Sequence, residues 1–196
     1  MRNNLRIFGL IFLLFTFSFS HASEKIIVID VGHGGNDNGF SIDGFIEKDL
    51  VFEIALQIVA LNTEEDVKII LTREGDYPMS LKDRVDHINS LNADYVISLH
   101  INSNEDVSVN GFDFFVSAKN AVSEKSNALA QRIEKTIASE FSSNGIKNAN
   151  LFLLKNVSNP VTLIEMGYLS NPKDFALLTS VAGQNKIAEV IYNSIK

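Results

Sequence analysis

Ile26-Ile27-Val28-Ile29-Asp30-Val31-Gly32-His33-Gly34-Gly35-Asn36-Asp37 is a run of β-branched residues that breaks into a glycine-flanked histidine and a polar turn. Such a run predicts a buried strand, Lys25 to Asp30, that delivers His33 to the edge of a sheet. Glycine on both sides of His33 removes the Cβ atoms that would keep an ion or a substrate from the backbone. An ordinary turn has the same composition, so the stretch gains meaning from what arrives beside it.

Leu50, Val51, Ile54, Ala55, Ile58 and Val59 recur at helical spacing after a polar loop, which predicts a helix opened by Glu47 or Lys48 and running to Leu61. A carboxylate at a helix N-terminus is favoured by the free N–H groups, so stabilisation of the helix is one reading of Glu47 and a functional role is the other. Val67 to Leu71 reads as a second strand. Ser80 and Asp83 resemble a capping box for a helix that turns Leu81, Val85, Ile88 and Leu91 inward, with His87 solvated at its rim. Tyr95 to His100 is a third strand, again ending in a histidine.

A strand from Gly111 to Val116 and a helix from Glu124 to Phe141 follow, the helix closed by Ser142 to Gly145. Leu151 to Leu154 reads as a short strand. Val161 to Glu165 is a clearer one, with an acid where an all-apolar run would continue. Asn171-Pro172 supplies N-cap and first-turn residues for a helix to Leu178, and Val181 to Ile195 forms the last helix.

The first 22 residues stand apart. Arg2 and Arg6 precede an apolar run, Ile7 to Phe19, and Ser20-His21-Ala22 offers small residues for cleavage, the pattern of a secretory signal peptide. About 13 apolar residues fall short of the roughly 20 that span a bilayer, so no stable membrane insertion is expected after cleavage. The rest, residues 23–196, fits one domain with a substantial core. That part is expected in the periplasm or secreted. With no cysteine in the chain, any metal site there must use His, Asp and Glu. Without Arg2 and Arg6, 15 basic residues face 24 acidic ones, a formal net charge of −9. Such a charge disfavours nucleic acid and anionic membranes as partners.

Strands alternating with helices predict an α/β domain, a twisted and largely parallel sheet flanked by helices, and such sheets bind ligands at the carboxyl ends of their strands. His33, His100 and Glu165 each stand at or just beyond such an end, and Glu47 opens the helix after the first. His21 leaves with the signal peptide and His87 is mid-helix, so His33 and His100 are the two histidines placed to meet. Two histidines and a carboxylate form the ligand set of many hydrolytic zinc sites. Zinc acidifies water and polarises a carbonyl, and a second carboxylate must then move the proton to the leaving nitrogen. Glu165, inside an apolar strand, suits that role better than Glu47.

Val28 to Asp37, Glu47-Lys48-Asp49-Leu50, Leu71-Thr72-Arg73, Leu81 to Arg84, Ile97 to Asn102 and Leu163 to Asn171, in that order, resemble the zinc-dependent N-acetylmuramoyl-L-alanine amidases of the type 3 catalytic domain. The resemblance implies hydrolysis of the amide between N-acetylmuramic acid and L-alanine in peptidoglycan, with Zn2+ as cofactor. It also implies that His33, Glu47 and His100 are the zinc ligands and Glu165 the catalytic glutamate. Arg73 and Arg84 match recurrent positions and read as structural ion-pair partners. Val31 departs from the family, which usually has proline there. Some relatives carry a long helical insertion that blocks the zinc; the short link after Val116 predicts a domain without that block. The negative charge gives no attraction to anionic wall polymers, so retention at the wall falls to confinement or to a wall-recruiting protein partner. A zinc peptidase with the same ligands and a non-catalytic wall-binding regulator are the competing readings.

Overall fold

The computed structural model describes residues 24–196; the predicted signal peptide, residues 1–22, lies outside them. The β-branched runs become strands β1 (Lys25–Val31), β4 (Val67–Leu71), β5 (Tyr95–Asn102) and β8 (Val161–Tyr168), which lie parallel, and β6 (Phe112–Val116) and β7 (Ser143–Asn148), which run the other way. The six-stranded order is β4-β1-β5-β8-β6-β7. The sheet is thus mixed but mostly parallel. A two-residue pair, β2 (Ser41–Ile42) and β3 (Phe45–Ile46), sits in the loop after β1.

Helices cover both faces. Alternation along the strands sends Ile27, Ile29, Val31, Ile97, Leu99, Ile101, Ile164 and Met166 to one side. There they pack with α1 (Glu47–Ala60), α3 (Ser123–Ile137) and α6 (Val181–Ile195), next to the short helix α5 (Pro172–Thr179). The other side carries Val28, Val96, Val161 and Leu163 beneath α2 (Leu81–Ser90) and α4 (Phe152–Asn156). By the same alternation Asp30, Ser98, His100 and Glu165 share this second face. The register sets His100 beside Glu165, and Glu165 beside Asp113.

Five local expectations change. Leu151 to Leu154 forms no strand: Phe152–Asn156 is helix α4, because Leu153, Leu154 and Val157 recur at a spacing that buries all three under the sheet. The added strand is β7, an edge strand of polar composition (Ser143, Asn144, Lys147, Asn148) that no apolar alternation marks. Helix α3 stops at Ile137, and Phe141 lies beyond it, stacked on Phe112 with ring centroids 5.0 Å apart. Leu81, expected inward, is 58% exposed at the first position of α2. Finally, β8 continues three residues past Glu165, so this acid lies within its strand and not at the end.

Candidate active site and metal centre

The β1 strand ends in a turn whose backbone is held from behind. His33 has φ 58°, a left-handed conformation that is rare outside glycine, and Gly34 and Gly35 follow at φ 130° and 59°. Two buried arginines hold this turn by its carbonyls. Arg73 donates to Gly32 O at 3.1 Å and Lys48 O at 2.7 Å; Arg84 donates to Val31 O at 2.6 Å and His33 O at 2.8 Å. Only Arg84 is the expected ion-pair partner, to Asp30 at 2.7 Å. Arg73 instead lies over the Phe52 ring at 5.0 Å. Asp30 is fully buried; burial opposes its ionisation, but the Arg84 charge and the Ser98 and Arg84 hydrogen bonds hold its carboxyl below the usual range. The Val31 N–H donates to Thr72 Oγ1 at 3.0 Å, a bond that a proline there would lack.

His33, Glu47 and His100 meet at the carboxyl edge of β1 and β5. His33 Nε2 is 2.9 Å from Glu47 Oε1, His100 Nδ1 is 3.2 Å from the same oxygen, and the two histidine nitrogens are 3.2 Å apart. Glu47 is the first residue of α1, so both readings of its position hold at once: it starts the helix and it faces the histidines. Its Oε2 accepts from Phe40 N at 2.9 Å and its Oε1 from Ile101 N at 3.0 Å. Burial opposes its charge, but His100 and His33 outweigh burial and hold the carboxyl far below its ordinary value. Burial likewise opposes protonation of His33, and Glu47 and Asp37 reverse that and raise its pKa.

The cluster passes a simple test for a cation. Two imidazole nitrogens and a carboxylate oxygen stand 2.9–3.2 Å apart, while a tetrahedral ion with arms of about 2.0–2.1 Å would space its donors by about 3.3–3.4 Å. All three donors therefore point at one spot, and no other group of three or more such residues is found among the described residues. Small residues make room for it. A Cβ on Gly32 would lie 2.6 Å from His100 Cε1, and one on Gly39 would lie 2.4 Å from Glu47 Oε2.

Asp37 is a supporting residue that the sequence reading passed over. Its Oδ2 is 2.9 Å from His33 Nδ1, out of line for a hydrogen bond to that nitrogen. The contact is thus electrostatic, in the place where a carboxylate behind a ligating histidine orients the ring. The clue was present, a carboxylate four residues past the histidine in a glycine loop. Asp30 carried the same clue as Glu165, an acid inside an apolar strand.

Glu165 does not join the donor triangle. It lies across from His100 in the register, mostly buried, and its Oε2 has no hydrogen-bond partner. Burial pushes its carboxyl up to about 7, with Glu47 and Asp113 adding to the rise against His100 and His33. Behind it, Asp113 is buried between Tyr168 Oη, at 2.5 Å, and Lys147 Nζ. Burial and that hydrogen bond raise the Tyr168 pKa above its ordinary value. His87 takes no part, as expected.

A mostly parallel sheet with two histidines, a glutamate and a free buried carboxylate at one edge defines a class, hydrolases built on an α/β sheet around a candidate metal centre. A family model described as N-acetylmuramoyl-L-alanine amidase matches residues 27–196, and the chain belongs to that family, enzymes that hydrolyse the peptidoglycan of the cell wall. It is similar to the germination-specific N-acetylmuramoyl-L-alanine amidase of Bacillus subtilis, 31% identical over 230 residues covering 100% of this chain and 95% of the relative. The solved structure of an N-acetylmuramoyl-L-alanine amidase from Clostridium difficile 630 superposes with a TM-score of 0.83 at 30% identity, covering 89% of this chain and 96% of the other. The CwlD amidase of Clostridioides difficile, solved in complex with the GerS lipoprotein, gives 0.78 at 29% identity, covering 87% and 96%.

Proposed function

We propose that His33 Nε2, Glu47 Oε1 and His100 Nδ1 hold a zinc ion and that Glu165 is the general base and acid for hydrolysis of the N-acetylmuramoyl-L-alanine amide. The observation that carries this is the division among the acidic groups. Glu47 is bonded on both oxygens and stays charged, as a ligand must; Glu165 is buried, unpartnered at Oε2 and poised near neutrality, as a proton carrier must be. The donor set supports zinc: nitrogen and carboxylate oxygen, three ligands with a position left for water or substrate. Zinc, when bound, supplies a Lewis acid for the amide carbonyl and acidifies water.

The residues of the chain do the rest. Glu165 Oε2 accepts a proton from the attacking water and returns it to the leaving L-alanine nitrogen. Its burial raises its proton affinity above that of an exposed carboxylate. Arg84 and Arg73 fix the turn that carries His33, and Asp37 fixes the ring.

Residues 1–22 are proposed to leave on export, with the enzyme working in the periplasm or outside the cell, where its substrate lies. Six residues join β6 to α3, so nothing at that point covers the cluster, and activity without an activator is proposed. Recruitment to the wall by a partner protein is supported by the net negative charge and by the relative solved with a lipoprotein.

Mass spectrometry of the products tests the reading. Zinc-loaded protein incubated with purified peptidoglycan should release stem peptides beginning at L-alanine, and a chelator-treated control should not. New termini elsewhere in the peptide would make it a peptidase; intact substrate in both samples would leave either a required partner or a binding protein.

A further inference from the structure

A cavity of about 410 Å³ opens directly beside the donor triangle, between the N-terminal ends of α2 and α4. His33 and His100 form one wall; Met79, Leu81, Leu151 and Phe152 form the others. Three of these apolar side chains are held in solvent: Leu81 is 58%, Leu151 41% and Phe152 42% exposed. Large apolar groups gathered around a concave site mark a binding surface more than chance exposure does.

We propose that this cavity is the subsite for the N-acetylmuramoyl side of the scissile amide, an inference that rests on the amidase reading above. The two sides of that amide differ in charge. The muramyl side is neutral while the amide is intact, and presents an acetyl methyl, a lactyl methyl and the C–H face of a sugar. The stem peptide carries carboxylate. Away from the donor triangle, the cavity offers no free cationic side chain to a carboxylate. Its one arginine, Arg84, is held by Asp30 at 2.7 Å and by the carbonyls of Val31 and His33. The acids that line it are Asp30, paired with Arg84, and Asp37, which repels anions. A carboxylate buried there would lose its hydration without a partner, whereas methyl groups and a sugar face gain contact with Leu81, Leu151 and the Phe152 ring. With the amide at the triangle and the muramyl group in this cavity, the stem peptide leaves on the side away from α2 and α4.

Two measurements test the subsite. In methyl NMR of the zinc-loaded chain, the 3-O-ethyl ether of N-acetylglucosamine, an uncharged and non-hydrolysable muramyl skeleton, should shift the methyls of Met79, Leu81 and Leu151, and the dipeptide L-alanyl-D-glutamate should leave them in place. In kinetics on peptidoglycan, Leu81→Asp and Phe152→Ala, both at exposed positions, should raise KM about tenfold with kcat within about twofold. Shifts caused by the dipeptide, shifts from neither probe, or an unchanged KM would overturn the proposal. The NMR arm needs no turnover. Failure of the amidase reading would show separately, as absence of L-alanine-terminated products from the unmodified chain.

Discussion

The two faces of the sheet are built from the same strands and differ in what they carry. Beneath α1, α3 and α6, β5 presents Ile97, Leu99 and Ile101, all buried and apolar. On the other face the same strand presents Val96, Ser98 and His100, and β1 presents Val28 and then Asp30. The second face is apolar at its amino end and polar at its carboxyl end. One face thus stabilises the fold, and the other gives up apolar contact to hold charged groups where the strands end. The polar groups are tolerated because most are partnered: Asp30 by Arg84, Thr72 and Ser98, and Glu47 by two histidines and two backbone N–H groups. Glu165 Oε2 and His33 Nδ1 have no hydrogen-bond partner.

Substitutions on the two faces separate these roles. The largest loss is expected for Arg84→Ala, which strands the buried Asp30 carboxylate and should destabilise by about 3–5 kcal/mol. It also releases the His33 carbonyl, so metal occupancy should fall further than the melting temperature explains. On the apolar face Ile97→Ala should destabilise by about 2–5 kcal/mol, from lost burial and the cavity left behind. Here metal binding per folded molecule should stay unchanged, as read by metal content at a temperature well below the transition.

Glu165→Gln sharpens the comparison through pH. In metal-free protein the folded-state pKa of Glu165, about 7, stands above its ordinary value of 4.5. Its neutral form is therefore the one the fold favours. Stability from this group is fully present below about pH 4.5 and is lost as pH rises through about 7. A glutamine amide at this position does not titrate and suffers no such loss. Metal-free Glu165→Gln should therefore equal the parent near pH 4 and exceed it by up to about 3 kcal/mol at pH 8. Urea denaturation at the two pH values measures the difference. The smallest effect belongs to Ser80→Ala. Ser80 Oγ accepts from Asp83 N at 3.1 Å at the head of α2, and its removal should cost about 1 kcal/mol in thermal denaturation without touching metal binding.

What the sequence made legible follows the same division. Strands β1, β5 and β8 and helix α1 could be read because burial on one side imposes a period on apolar residues. His33, His100 and Glu165 stood out as polar residues interrupting those periods, and Glu47 as the acid at a helix start. Edge strand β7 could not be read, because its exposed Asn144, Lys147 and Asn148 follow no apolar alternation. Helix α4 was misread because a four-residue apolar run suits a strand or a helix turn equally. Leu81 was assigned inward from periodicity, yet the first residue of a helix lies beyond the turn that faces the core. The carbonyl grip of Arg73 depends on how the loops fold back, which no local pattern encodes.

The most direct measurement pairs zinc content with turnover in Glu165→Gln and His100→Ala. Glu165→Gln is expected to keep one zinc per chain and to lose at least about a hundredfold in kcat, while His100→Ala loses the zinc itself. Near-normal turnover in Glu165→Gln, or full zinc occupancy in His100→Ala, would contradict the separation of holding and reacting groups on which the account stands.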